Sequence, residues 1–485
     1  MTPEQHYRQV MKNPHLKVDG KVTGEGFCWH AAYSADSFVT AYQAWRDTAW
    51  LEQGVVYFDW LLGLMETAPD GYKGWIGPYG YDKSVWCDVH VGDAILFNPM
   101  LRLAEIVLAD GALRETYGEA ANRYVAAARK HLLEKWDARG TWREDGPYGA
   151  YVAWDQYMEP GDIGQWKPFP AIKNSTLSLP FNKQFDMGIA ALRIYRITGE
   201  APYREKVERI FRTMKARIQS FDDHYVWNYW EPLGAWDIDP ETDAMRHWVN
   251  VHPYRNYQAG EIHNIVEAYH SGIVFDRRDI EMMLNTNLKV MWNGDRDNPK
   301  WRNSNERGEW APPPPPPKGW EGRAGTLWSG FIDFSQTVRD LYAPRLRPGR
   351  ISHGYYHNVT AKEAPGFDRK HVRGDISVFD VPFSECDCLI MAAALPSEIQ
   401  RGTPAILICK SPASGGLEIA LYTTDGVLKK VLYTGDETGG PSGHEGVTLY
   451  RWDGVDPDGA ETYSGGYRIR WTRNGQYREF PVTIQ

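Results

Sequence analysis

Through the first two thirds of the chain, apolar residues recur every three or four positions, the period of an amphipathic helix. Residues 34–69, SADSFVTAYQAWRDTAWLEQGVVYFDWLLGLMETAP, carry an N-capping Ser or Asp and two helical stretches. Residues 91–136 read as a helical hairpin that turns at ADGA, and residues 182–218 as a second that turns at TGEAPY. Residues 257–292 are a third, and TLWSGFIDFSQTVRDLY (326–342) a last helix. Between the hairpins lie long connections rich in Trp and Gly. The spacing is too irregular for a helical-repeat array, whose units run about 34 to 47 residues. Irregular hairpins with long loops on one side suit an incomplete α/α toroid, with inner helices ringing a core and the loops building a cleft over one end.

After roughly residue 345 the period changes to two. AILICKS, LEIALYTTDG, VLKKVLYTG, VTLYRWDGVDPDG and GYRIRWTRNGQYREFPVTI are short strands parted by Gly, Asp and Asn turns, and TRNGQY is an Asn-Gly hairpin. The pattern predicts a mainly α chain: an α/α toroid over 1–345, a linker over 346–369, and an antiparallel β-sandwich over 370–485. Residues 309–320, EWAPPPPPPKGW, form an extended polyproline tract that serves as a strut over the toroid or as a ligand for a partner.

Composition narrows the class. With 485 residues and 42% hydrophobic residues, the chain is long enough for two or three domains around sizeable cores. It has no apolar run of about 18 residues that would span a membrane. The net charge of −9 argues against nucleic acid and anionic membranes as partners. Five Cys (28, 87, 386, 388 and 409) make neither a disulfide framework nor a zinc set. No metal or other cofactor is expected, although NGDRDN (293–298) hints at calcium without the closing Glu of an EF-hand loop. No signal peptide precedes residue 13. The expected location is periplasmic or secreted after loss of a leader, with the cytoplasm as the alternative and a monomer as the expected state.

The outlier is 21 Trp and 28 Tyr. Aromatic planes stack on the apolar faces of sugar rings, and clusters of them in loops point to binding. GYKGWIGPYGYDKSVW (71–86) and WDQYMEPGDIGQWKPF (154–169) are such clusters. Tyr81, Trp86, Trp166 and Trp230 are the candidate platforms, and for any one of them a place in the core is the plain alternative.

WVNVHPYRNYQAGE (248–261) concentrates a His, two Tyr, an Arg and two Asn at the start of a helix. Cleavage of a uronic-acid polymer by β-elimination needs such a set. The C5 proton is too weakly acidic until donors neutralise the adjoining carboxylate; a base must then take the proton and an acid must serve the leaving oxygen. Asn182, in LPFNKQFDMG at the mouth of a helix, Arg246, His247, His252, Tyr254, Arg255 and Tyr257 are candidates, with Glu231 and Arg302 on loops. Tyr254, Tyr257 and Glu261 fall on one helical stripe. Lys183 and His90, the latter beside Asp93 in CDVHVGD, are candidates for flanking subsites. Lys167 and Lys173, with Lys183, Arg255 and Arg302, would make the cleft locally positive. Asn182 as a helix cap, Tyr257 as a core Tyr and His252 as a turn residue before Pro253 are the structural alternatives.

YRNYQA (254–259) resembles the run that opens an inner helix in α/α-toroid alginate lyases, where the last Tyr is both base and acid and an Asn stands ahead of an earlier helix. The resemblance assigns those roles to Tyr257 and Asn182. The layout with NVHPYRNYQAGE is also similar to polysaccharide lyase family 38, toroids acting on glucuronan or polymannuronate. Two positions depart from the pattern. Lys183 stands where those enzymes often have a His, and Asn250 where their Arg stands. The neutralising set must therefore differ, with His252, Arg255 or Glu231 open for it. The last 70 residues or so, with WDGVDPDG and SGGYRIRW, resemble a FlgD-type immunoglobulin-like module, which implies an accessory domain. Competing functions are a toroidal glycoside hydrolase, drawing a carboxylate pair from Asp88, Asp155, Asp186, Glu231 and Asp237, and a non-catalytic glycan-binding protein.

Overall fold

The protein was analysed as a computed structural model, which describes residues 1–18, 20, 22–80, 82–168, 176–221, 223–239, 257–302, 305, 325–345, 362, 391–410, 416–435, 447–455, 463–473 and 475–485. Its helices are α1 (Pro3–Val10), α2 (Glu25–Trp45), α3 (Ala49–Gly63), α4 (His90–Ala109), α5 (Gly111–Ala128), α6 (Lys135–Ala138), α7 (Phe181–Thr198), α8 (Ala201–Arg217), α9 (Tyr257–His270), α10 (Arg277–Asn285) and α11 (Gln336–Tyr342). The local signals are those expected of hairpins. Asp110 ends α4 and caps α5 by accepting from the amides of Ala112 and Leu113 at 2.9 and 3.1 Å. Gly199, at φ 75°, closes α7 in the left-handed conformation, and Pro202 sits in the first turn of α8. Asp276 caps α10 through the Asp279 amide at 3.0 Å.

Two kinds of helix result. α2, α4, α7 and α9 touch one another in succession, and α3, α5 and α8 back onto α2, α4 and α7 from outside. The inner helices are buried nearly all round: every residue of α4 from His90 to Ala104 is inside. The outer ones bury a single stripe, as α8 does with Val207, Ile210, Phe211 and Met214. Ion pairs staple the inner helices together. Arg102 of α4 binds Asp36 of α2, and Arg196 of α7 reaches Glu105 of α4 at 2.7 Å. Glu267 of α9 receives both Arg193 at 2.7 Å and Arg196 at 2.6 Å from α7.

Short antiparallel strands cover the connections. β1 (Glu66–Thr67) pairs with β2 (Lys73–Gly74). β3 (Gly77–Pro78) and β4 (Trp86–Cys87) join a four-stranded sheet with β7 (Gln156–Glu159) and β8 (Asp162–Pro168), while β5 (Trp142–Asp145) pairs with β6 (Tyr148–Tyr151). β9 (Gln219–Ser220) pairs with β10 (Tyr225–Val226).

The C-terminal strands are β11 (Met391–Leu395), β12 (Glu398–Ile399), β13 (Ala405–Lys410), β14 (Leu417–Thr423), β15 (Leu428–Gly435), β16 (Val447–Trp452), β17 (Gly465–Arg473) and β18 (Gln476–Ile484). They form a three-stranded sheet, β11-β13-β16, and a five-stranded sheet, β12-β18-β17-β14-β15. Alternate residues of both sheets, among them Leu407, Trp452, Ile419, Ile469 and Trp471, share one apolar core separate from that of the helices. The β17–β18 hairpin pairs Arg473 with Gln476 across the expected two-residue Asn-Gly turn, and Gly475 has φ 78°. This unit is tied to the helical part. Asp145 accepts from the Ser397 amide at 2.9 Å, and Arg478 donates to the Ser220 hydroxyl at 2.7 Å.

Several elements differ from the pattern-based expectation. α2 begins at Glu25, ahead of the Ser34 and Asp36 read as caps; both lie inside the helix, and Asp36 holds Arg102 instead. The start is set by Gly24 at φ 83°, where a Cβ would come within 2.8 Å of Pro78, a close approach invisible to periodicity. The supposed loops at 71–86 and 154–169 contain the four-stranded sheet. The last helix is a 3-10 turn (Ser329–Asp333) followed by α11, because Ser335 caps a fresh start at Gln336 by accepting from the Val338 amide. The β unit is not wholly antiparallel, since β12 crosses to the edge of the other sheet and runs parallel to β18. The polyproline tract, the expected linker apart from Lys362, Cys386 and Cys388 lie outside the described residues.

Candidate active site

The inner helices all begin at the same end. A Cβ on Gly92 of α4 would meet Cys28 of α2 at 3.1 Å. Lys183 of α7 is 3.8 Å from Glu25 of α2. The backbone carbonyl of Tyr229 accepts from the first amide of α7 at 3.1 Å, while its ring lies 4.8 Å from that of Tyr257, the first residue of α9, at an interplanar angle of 23°. Four helix N-termini, each bearing a partial positive charge, therefore face one region. The short strands and the segment 227–231 frame it.

Asn182 is the second residue of α7, and the cap position is held by Pro180, so a capping role is ruled out. Its side chain is only 2% exposed, yet among the described residues neither Nδ2 nor Oδ1 has a hydrogen-bond partner. Its neighbour Gln184, by contrast, donates to the carbonyls of Tyr151 and Leu179 at 2.7 and 3.1 Å. Buried polar atoms are almost always paired, so an orphaned amide marks a place where something polar belongs. It is not alone. Asn228 Oδ1, Gln258 Nε2, Glu261 Oε1 and Asn305 Oδ1 are buried in the same neighbourhood without partners among the described residues.

Residues 227–231 thread this neighbourhood together. Trp227 Nε1 donates to Glu261 Oε2 at 2.8 Å, and the Trp227 carbonyl accepts from Asn305 at 3.0 Å. Asn228 donates to Glu231, whose other oxygen lies 3.9 Å from Arg217. Trp230 Nε1 donates to the Ser178 carbonyl at 2.5 Å. Glu231 and Trp230 thus sit in the expected region as buried parts of its frame. Asp237 accepts from Ser178 and the Leu233 amide at 2.7 to 2.8 Å, and so acts as a loop anchor.

Glu261 lies one turn into α9 below Tyr257 and is wholly buried. Burial pushes its carboxyl up to about 8; the Trp227 hydrogen bond lowers it and the charge of Asp186 raises it further. Asp186, one turn into α7 below Asn182, lies 3.5 Å from Asn264.

A second buried cluster adjoins the first. Lys135 is 2.8 Å from Asp88 and 2.6 Å from Asp93, and Arg139 is 2.9 Å from Asp88. Gly74 leaves room for Asp88, since a Cβ there would fall within 2.4 Å of its carboxylate. His90 stacks on Trp136 at 3.7 Å and bonds Thr141 at 2.9 Å. Burial, and then the cations Lys135, Arg139 and Lys183, hold its pKa well below the usual value. It is a neutral packing histidine at the start of α4, 4% exposed. Trp86 and Trp166 are half-buried in the four-stranded sheet, around Ala68, Ile76 and Met158. Trp166 and Trp154 meet edge to face at 4.5 Å, with the Arg139 guanidinium 5.0 and 4.2 Å from their centroids. Lys167 is paired with Glu159 at 3.1 Å.

Of the predicted site residues, Asn182, Lys183, Tyr257, Glu231 and Trp230 come together at the helix N-termini. His90, Trp86 and Trp166 belong to the neighbouring cluster and sheet. Arg302 follows the Trp292–Trp301 bridge beyond α10, its amide bonded to the Met291 carbonyl at 2.8 Å. His247, His252, Tyr254, Arg255, Tyr81 and Lys173 lie outside the described residues. In the 293–298 loop Asn293 and Asp295 accept from amides of their own turn, and among the described residues no cluster of three metal-ligating side chains occurs. Tyr229, Asn228, Gln258 and Asn305 were not singled out from sequence, and Glu261 was named there only as sharing a helical stripe with Tyr254 and Tyr257, without a role.

No family profile matches the chain, and no curated protein matches it.

Proposed function

We propose that this chain is a polysaccharide lyase that cleaves a uronic-acid polymer of the polymannuronate or glucuronan kind by β-elimination. The helical part is taken as an incomplete α/α toroid and catalytic domain, the C-terminal sheets as an immunoglobulin-like accessory domain, and the protein as a periplasmic or secreted monomer. Among the described residues no helix is long and apolar enough to cross a membrane, which fits that setting.

One observation carries the reading. Asn182, buried and without a hydrogen-bond partner among the described residues, and Tyr257, stacked on Tyr229, stand at the starts of two adjoining helices where four helix N-termini converge. In the proposed reaction the uronate carboxylate sits against the Asn182 amide and the helix N-termini, whose partial charges stabilise the carbanion-like state formed when C5 loses its proton. Tyr257 takes that proton as phenolate and, as phenol, protonates the departing glycosidic oxygen. One group serves twice, so the elimination is syn. Lys183 contributes positive charge from the same turn of α7, partly offset by Glu25 at 3.8 Å.

A second reading has one observation in its favour. Glu261, with its raised pKa and Asp186 facing it, is the type of carboxyl pair a glycoside hydrolase uses. Their position one turn beneath the layer of Asn182 and Tyr257, and the full burial of Glu261, count against direct contact with a sugar. The deciding experiment incubates the protein with polymannuronate, glucuronan, hyaluronan and pectin. The lyase reading expects ultraviolet absorbance from a conjugated C4–C5 double bond, with a rate that falls as salt rises. New reducing ends without that absorbance would mean hydrolysis, and binding without cleavage a glycan-binding protein.

A further inference from the structure

We propose that Glu261 is a positioning residue of this site that works as a neutral acid, anchoring the Trp227–Tyr229 segment against Tyr257, and that its ionisation disables the site. The proposal rests on the lyase reading and deepens it by naming what limits the reaction at alkaline pH.

The geometry is specific. Glu261 Oε2 accepts from Trp227 Nε1 at 2.8 Å, while Oε1 is buried with no partner among the described residues. From α7 the charged group that faces it is Asp186, an anion. From residues 227–231 it meets Trp227, while Glu231 of that segment is turned to Asn228 and lies 3.9 Å from Arg217. On its own helix Tyr257 lies one turn before it and Asn264 follows. His270 closes the helix 3.5 Å from Asp333 of the 3-10 turn packed against it, and Asp333 is 2.7 Å from Lys362. Among the described residues no cation stands against Glu261, so an ionised carboxylate there would be a buried charge beside a like charge. The neutral acid avoids that cost, and a carboxyl group can be kept neutral near pH 7 for this reason.

The carboxyl does two things. In either state it accepts from the Trp227 indole, whose chain continues two residues on to Tyr229, the ring stacked on Tyr257. Only when neutral does it keep a second negative charge out of the turn beneath the place proposed for the uronate carboxylate. Ionisation would put that charge there and repel a polyanion.

The test is the pH profile of turnover for wild type and Glu261→Gln, on whichever of polymannuronate or glucuronan yields the unsaturated product. The amide keeps an acceptor for Trp227 and cannot ionise. With a carboxyl that titrates near 8, the ratio of variant to wild-type turnover should rise about tenfold between pH 7 and 9. Glu261→Ala, which also removes the Trp227 acceptor, should lose turnover across the whole range. A variant-to-wild-type ratio that stays flat over pH 7 to 9 overturns the proposal. The C=O infrared band of a protonated carboxyl, read as wild type minus Glu261→Gln because Asp93 is also raised to about 7, gives a readout without substrate: a positive difference band at pH 7 that is lost on raising pH. No such difference band also overturns it. If the band behaves as expected but no polymer yields unsaturated product, it is the lyase reading that fails, and Glu261 stands as a neutral buried acid without that role.

Discussion

Replacing Glu261 by Gln should change how stability depends on pH, whatever the protein's substrate. In the unfolded chain the carboxyl titrates near its ordinary 4.5, and in the folded protein burial and Asp186 move it to about 8. Below pH 4.5 both states carry the proton and the residue contributes no pH dependence. Between the two values the unfolded chain has released the proton and the native protein has not, so wild-type stability falls as pH rises. Above pH 8 both states are ionised and the loss is complete. At about 1.36 kcal/mol per pH unit the whole interval is worth at most roughly 5 kcal/mol. Gln has no such titration and keeps an oxygen for the Trp227 indole N–H. The free energy of unfolding of Glu261→Gln minus that of wild type should therefore climb between pH 5 and 8 and level off beyond. Urea unfolding at half-unit pH steps, followed by circular dichroism at fixed ionic strength, measures it. A difference that stays constant from pH 5 to 8 would refute the account, because it would mean the buried carboxyl is ionised in the native protein at its ordinary pKa.

Three other outcomes are expected. Tyr257→Phe removes only a hydroxyl and keeps the stacking on Tyr229, so folding should be intact while turnover drops by about 10²–10⁴-fold, read as rate of unsaturated product. Asn182→Ala removes a side chain that forms no hydrogen bond, so its unfolding free energy should shift by less than about 1 kcal/mol while turnover collapses; a large loss of stability would make Asn182 a structural residue. Glu267 is held ionised against burial by Arg193 and Arg196, and Glu267→Gln should cost about 3 kcal/mol by leaving two guanidinium groups without their carboxylate, measured by chemical denaturation near pH 7. That contribution should vanish from wild type as pH falls through the depressed pKa of Glu267.

Much of the architecture was legible before any coordinates. The helical hairpins announced themselves by period and punctuation, because Asp110, Gly199, Pro202 and Asp276 act locally on the backbone they belong to. The β strands of the C-terminal part were legible for the same reason, since alternation and an Asn-Gly turn are properties of neighbours in sequence. Asn182 and Tyr257 could be named from short motifs as candidates for one site, and the structure sets their helices side by side. The start of α2 was not legible, because it depends on Gly24 passing close to Pro78, a residue far along the chain.

What the sequence determined by itself is therefore the inventory: which stretches are helices or strands, an excess of aromatic residues, and a helix start loaded with donors and phenols. What only the tertiary structure decided is which of those groups are satisfied. His90 and Asp237, equally plausible as site residues on paper, prove to be occupied by Thr141 and Trp136 and by Ser178 and Leu233. Among the described residues Asn182 keeps both polar atoms unpaired, and Glu261, which the sequence placed only on the stripe of Tyr257, is buried with its carboxyl pushed up to about 8. The physical reason is that pairing and burial are set by neighbours brought from elsewhere in the chain, through distances of a few ångströms in a medium without water. A group's chemistry in that setting depends on who stands beside it, and the linear order of residues does not record that.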